Sequence, residues 1–124
     1  MTAPASGDKV LDLLVAGREY FATHEWNRDG TYFAGTPFRP DVSTCCAVGA
    51  VLAAAGADSE SGFVRATEIH PSDISDALYE ALTPEQRYVP GNFYYFNDFI
   101  AESKDEILAV FDRAIEARKS AVQS

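Results

Sequence analysis

Cys45 and Cys46 are the side chains of this sequence best suited to covalent chemistry, and they are its only cysteines. The residues that follow are small and apolar, so we expect a helix whose first turn contains both thiols. The N–H groups and the dipole at a helix N-terminus lower the pKa of a thiol there and favour the thiolate. A thiol nucleophile also needs a base, and the candidates are His24 and His70. The pattern therefore allows a small cysteine-dependent enzyme that uses Cys46 or Cys45.

The same two cysteines also fit a role in packing. Unreactive cysteine is among the most buried residue types, and the segment 47–55 has the composition of a helix packed on all sides. Core packing explains Cys45 and Cys46 better than catalysis does. A bond between adjacent cysteines would close no long loop, so we expect free thiols in a reducing compartment.

Other routes to chemistry have less support in the sequence. The cysteines and histidines show none of the spacings of zinc sites, and the glycines form no phosphate-binding motif. We therefore expect no metal and no cofactor. Asp73, Asp76 and Glu80 share one side of a predicted helix, where paired carboxylates could act as acid and base. A solvated helix face explains these three acids better.

Aromatic residues concentrate in two segments without helical periodicity. Trp26, Tyr32 and Phe33 belong to the first segment, and residues 93–96 form the second. If the segments meet, they can line a pocket or form a patch that binds another protein. Closing the core over the ends of the helices is the alternative, and it explains them better. Trp26, Tyr32 and Phe33 are the candidate binding residues of this region.

The chain is acidic, with 10 Lys and Arg residues against 19 Asp and Glu residues and a net charge of −9. Phosphate groups attract cations, so this charge argues against direct binding to nucleic acid or to an anionic membrane. No apolar stretch is long enough to span a bilayer, and no secretory signal pattern is present. We expect a cytoplasmic protein whose partner is another protein, and the sequence leaves its oligomeric state open.

The elements that position these residues are mostly helices. A length of 124 residues, of which 47% are hydrophobic, favours a single domain over residues 1–124. We expect residues 1–6 and 119–124 to fray at its ends. The predicted fold class is mainly α, a compact domain of four to five helices with an irregular aromatic loop or short hairpin after helix one.

The spacing of apolar residues predicts a first helix over residues 8–23 and a last helix over 104–120. A central helix is expected from Cys45 to residue 55, with Gly56 in the left-handed conformation that ends it. A further helix opens at Pro71.

The remaining segments are less regular. Residues 24–41 read as a loop, with a hairpin turn at Asp29-Gly30 as one option. Residues 58–70 can be strand, helix or loop. Thr83 and Gln86 form a predicted capping box. Residues 93–96 have the composition of an extended segment.

Two stretches of the chain resemble a known family. The first is Cys46-Ala47-Val48-Gly49-Ala50-Val51, and the second runs from Phe96-Asn97-Asp98 into the helix after Ser103. Together they resemble the DUF6197 family of small bacterial and phage proteins of unknown function. In that family a C-A-x-G-A segment precedes W-N-D and a closing helix of the form E-E-V-L-x-L-x-D-R-A-I. The resemblance covers most of the chain, from helix one to the end.

The resemblance implies a compact helical domain but no activity. It makes Cys46, Asn97 and Asp98 the positions of interest, and we add Asn97 and Asp98 to the candidate binding residues. Capping or hydrogen bonding within a turn is the alternative role for these two. The chain departs from the family in having Phe96 where Trp is usual, and in its extra Cys45.

Three hypotheses for function follow. The first is a non-enzymatic accessory protein, including a phage-encoded one, that binds another protein through an acidic helical face or the aromatic patch. The second is the cysteine-dependent enzyme. The third is an acidic mimic of nucleic acid that inhibits a DNA-binding protein.

Overall fold

The computed structural model of the protein describes residues 8–23, 25–26, 44–45, 47–57, 60–87, 93 and 96–123. Within these residues the protein is mainly helical, which confirms the predicted fold class. The α-helices are, in chain order, α1 (Lys9–Ala22), α2 (Ala47–Ala54), α3 (Glu60–Thr67), α4 (Pro71–Glu80) and α5 (Lys104–Gln123). The described part also contains two short strands, β1 (Glu25–Trp26) and β2 (Thr44–Cys45), a 3₁₀ turn (Pro84–Gln86) and a π-helical turn (Phe96–Ile100). None of the described helices has the length and apolar character needed to cross a membrane.

Helix α1 begins where an aspartate can cap it. The Asp8 carboxylate accepts hydrogen bonds from the backbone N–H groups of Val10 and Leu11, at 3.0 and 3.2 Å. These groups have no partner within the helix, so the cap stabilises its first turn. The helix matches the predicted 8–23 to within one residue at each end. Its buried face consists of Val10, Leu11, Leu14, Gly17 and Phe21.

Helix α2 is buried on all sides, as its composition predicts. All residues from 47 to 52 are buried, and the side chains of Val48, Val51 and Leu52 have no exposed surface. The helix ends at Gly56, which has a φ of +74°. The N–H of Ala57 donates to Leu52 O (3.3 Å), the bond of a Schellman motif. The predicted glycine stop is therefore confirmed.

The two helices α1 and α2 cross at a glycine. A Cβ atom placed on Gly17 would lie 2.4 Å from Val51 Cγ2 and 2.9 Å from Val51 Cα. Both distances are shorter than carbon atoms tolerate, and the second involves backbone. Position 17 therefore has no room for any side chain while the helices keep this separation.

Helix α5 runs antiparallel to α1 and covers another of its sides. It buries Ile107, Val110 and Phe111, and the rings of Phe21 and Phe111 lie 5.9 Å apart. The helix extends to Gln123, beyond the predicted residue 120. Three polar contacts fix the pair along its length: Lys104 Nζ to Ala22 O (3.1 Å), Arg18 Nε to Asp112 Oδ1 (2.9 Å) and Arg118 Nε to Asp8 Oδ2 (2.8 Å).

Helix α4 and the 3₁₀ turn follow the predicted start signals. The N–H of His70 donates to Asp73 Oδ2 (3.0 Å), and the N–H of Thr83 donates to Gln86 Oε1 (2.9 Å). Arg113 NH2 on α5 donates to the same Gln86 oxygen at 3.0 Å. The turn after α4 is therefore tied to α5 as well as capped.

Two local predictions need revision, and one open segment is now assigned. The central helix was expected to start at Cys45, but Cys45 belongs to β2 and α2 starts two residues later, at Ala47. The prediction of an extended segment at 93–96 is wrong at the two positions that the structure describes. Phe93 is helical, and Phe96 opens the π-helical turn. The segment 58–70, left open by the sequence, contains α3.

The predicted loop or hairpin after helix one falls mostly outside the described residues, as does its turn at Asp29-Gly30. The described strands at its two ends, β1 and β2, pair in parallel, with Glu25 opposite Thr44 and Trp26 opposite Cys45. A parallel pair cannot be the two arms of a tight hairpin, which are antiparallel.

The ion pair between Asp8 and Arg118 connects the start of α1 to the last part of α5. Arg118 donates to both carboxylate oxygens, and the Asp8 side chain is only 16% exposed. The hydrogen bond from Arg118 is the main cause that holds the pKa of Asp8 below its usual value of 3.8; burial opposes this shift, and the N–H of Leu11 adds to it.

We predict that Gly17→Ala destabilises the fold by about 2 kcal/mol or more, because an overpacked helix contact outweighs the better helix propensity of alanine. Gly56→Ala is the matched control. A Cβ atom added at position 56 would meet nothing within 4 Å. This variant should therefore lose only about 1 kcal/mol of its free energy of unfolding, because alanine disfavours the positive φ. Urea unfolding of both variants measures the difference. The double variant Gly17→Ala with Val51→Ala should lose less stability than the sum of the losses in the two single variants. Strictly additive losses would contradict a clash at this crossing.

We also predict a pH-dependent effect of Asp8→Asn. Asparagine caps a helix about as well as aspartate, so the variant removes mainly the charge that pairs with Arg118. Because the folded-state pKa of Asp8 is lowered, its contribution is complete above the unfolded-state pKa and is lost as the pH falls through the folded-state pKa. Wild type should exceed the variant by up to about 1 kcal/mol at pH 7, and this difference should shrink as the pH falls below 3.8. Urea titrations from pH 7 downward test the prediction, and a difference that does not shrink in acid contradicts it.

Candidate functional site

The strand pair brings two of the predicted site residues together. Trp26 follows α1 closely and is the register partner of Cys45, which lies just before α2. Paired strands lie about 4.8 Å apart, so the backbones of Trp26 and Cys45 are direct neighbours. We call this region, formed by β1, β2, the last turn of α1 and the first turn of α2, the strand-pair end.

The prediction that Cys45 lies in the first turn of a helix is wrong. Its backbone is extended and paired with β1, so Cys45 is not part of the first turn of α2. Local sequence favours a helix at this position, but the pairing partner at Trp26 lies far away in the chain and decides the conformation. Cys46, which carries the family resemblance, lies outside the described residues, as do His24, Tyr32 and Phe33.

His70 lies at the other end of α1 from Cys45. Glu68 forms an ion pair with Lys9 in the first turn of α1 (3.1 Å), which places the start of α4 near that turn. Cys45 is paired with Trp26, just past the last turn of the same helix. The helix has 14 residues, so its two ends are about 20 Å apart. The described contacts therefore place His70 near the first turn of α1 and Cys45 beyond its last turn.

Asn97 is the one predicted binding residue whose side chain the structure places, and it is fully buried. It lies in the π-helical turn, which is closed by a hydrogen bond from Ala101 N–H to Phe96 O (2.9 Å). Phe96, at the position of the family's usual Trp, is also buried and packs against Phe93, with ring centroids 6.0 Å apart. Buried amide groups are almost always hydrogen-bonded, so Asn97 is placed to hold this turn in the core. Asp98 follows it in the same turn.

Sequence reasoning missed the role of Lys104. Its ammonium group donates to Ala22 O, at the end of α1, and lies 5.5 Å from the centre of the Phe21 ring. A cation at a helix C-terminus is favourable because it faces the negative end of the dipole. This contact ties the start of α5 to the strand-pair end. No sequence signal could reveal it, since the two residues are 82 positions apart.

A second region stands out by its charge. The α4 acidic face consists of Asp73, Asp76 and Glu80, all exposed and within about 60° of each other around the helix. Within the described part of the chain, no basic side chain forms an ion pair with any of the three. The prediction that they share one solvated side is therefore confirmed.

The arginines near this face are used elsewhere. Arg87 donates to Glu80 O and lies over the Tyr79 ring at 5.3 Å, and Arg113 donates to Ala81 O at 2.8 Å. Both satisfy carbonyl groups at the C-terminal end of α4, which have no partner within the helix. They therefore stabilise the helix end, and no basic side chain among the described residues forms an ion pair with the carboxylates of the face.

Metal binding has no support in this part of the protein. Among the described residues, no three His, Cys, Asp or Glu side chains cluster closely enough to hold a metal ion. What the described geometry does offer is a buried polar turn at Asn97 and an exposed acidic surface on α4.

Comparison with known proteins adds one finding. The model of a family of unknown function, DUF6197, matches residues 5–117. No curated protein and no solved structure matches the chain.

We predict that Asn97→Asp destabilises the protein in a pH-dependent manner. The change keeps the shape of the side chain but buries a carboxylate, whose folded-state pKa burial raises. The loss of stability should therefore be largest at pH 7 and shrink as the pH falls below the raised pKa. Thermal unfolding between pH 4 and pH 7, with wild type measured in parallel, checks this. A loss that is the same at both pH values would show that position 97 is open to solvent.

Proposed function

We propose that this chain, which belongs to the DUF6197 family of unknown function, is a non-enzymatic domain that binds a basic surface of another protein through the α4 acidic face. The observation that carries the proposal is that basic and acidic side chains are used differently in the described structure. Most basic side chains of the described part serve contacts within the fold, and none of them forms an ion pair with the exposed acids of α4.

The basic side chains are used in two ways. Lys104, Arg87 and Arg113 donate to carbonyl groups at the ends of α1 and α4. Others form ion pairs: Lys9 with Glu68, Arg18 with Asp112, Arg118 with Asp8 and Lys119 with Glu116. Arg65 is exposed and takes part in neither arrangement. Within the described residues, the acids of α4 are therefore left exposed without a basic partner from the fold.

Such a surface suits a cationic protein partner. Unpaired exposed carboxylates attract Lys and Arg side chains, which speeds association and selects partners of opposite charge. The same field repels nucleic acid and anionic lipid. The proposal includes a cytoplasmic location and leaves a phage origin as a prediction from the sequence resemblance.

The other hypotheses have less support from the described geometry. The enzyme hypothesis needs a base near a thiol, whereas the described contacts place His70 and Cys45 at opposite ends of α1. The nucleic-acid mimic shares the acidic surface with our proposal and differs in the class of partner, so one experiment separates them.

The test compares two variants that each remove two negative charges. Asp76→Asn with Glu80→Gln removes two of the three charges of the α4 acidic face and leaves Asp73 in place because it caps the helix. Glu19→Gln with Glu116→Gln is the matched control, since both side chains are 74% exposed but lie near Arg18 and Lys119. Tagged proteins are used to capture partners from cells that naturally make the chain, followed by quantitative mass spectrometry.

We expect wild type and the control to capture the same basic protein, and the α4 variant to capture it at least about tenfold less, the equivalent of about 1.4 kcal/mol. Capture should also weaken as salt rises from about 50 to 500 mM, because exposed charges are screened. Equal capture by both variants contradicts the proposal. Displacement of the captured protein by duplex DNA would favour the nucleic-acid mimic instead.

A further inference from the structure

We draw no further inference here: the strongest candidate, the groove between α4 and α5 lined by Ala77, Glu80, Ala81, Ala114, Ala117 and Arg118, carries nothing because nothing in the structure shows what covers it.

Discussion

At the crossing of α1 and α2, the backbone of Gly17 lies against Val51 so closely that a single methyl group would not fit. This contact fixes how near the two helices come, and other features depend on that distance. Helix α2 can be buried on all sides only because α1 seals one of them without intervening side chains. Since β1 follows α1 and β2 precedes α2, the same crossing also brings the two strands close enough to pair.

The described helices end in two ways: some end at a residue with a positive φ, and others end where basic side chains donate to their last carbonyl groups. Helix α2 ends with a glycine in the left-handed conformation, and α3 ends at Glu68, which has a φ of +63° without being glycine. Helices α1 and α4 instead receive Lys104, Arg87 and Arg113 at their last carbonyl groups. Cations used in this way compensate the negative end of the helix dipole. The consequence is a surface on which acids outnumber the cations available to pair with them.

Features that are encoded locally could be predicted from the sequence, and features that depend on distant partners could not. Asp8, Gly56 and Thr83 act through neighbours within five residues, and the predicted glycine stop and the predicted capping box at Thr83 are both found. Cys45 was placed in a helix because its neighbours favour one, whereas its pairing with Trp26 depends on the tertiary fold. The wrong prediction for the aromatic run 93–96 also arises because the conformation depends on the tertiary fold. Its strand-like composition is overridden by the burial of Phe93 and Phe96 in the core.

The candidate site likewise combines a feature that the local sequence predicts with one that depends on distant partners. The shared face of Asp73, Asp76 and Glu80 can be read from helical spacing, but its lack of ionic partners depends on where Arg87 and Arg113 are directed. Asp73 has a role in folding, because it caps α4. Asp76 and Glu80 have no such role. As like charges four residues apart, they destabilise the helix by about 0.2–0.5 kcal/mol. Solubility does not require them either, because a small domain with a net charge of −9 stays well charged without two of its acids. In the complex that we propose, basic side chains of the partner would relieve this repulsion between the two carboxylates.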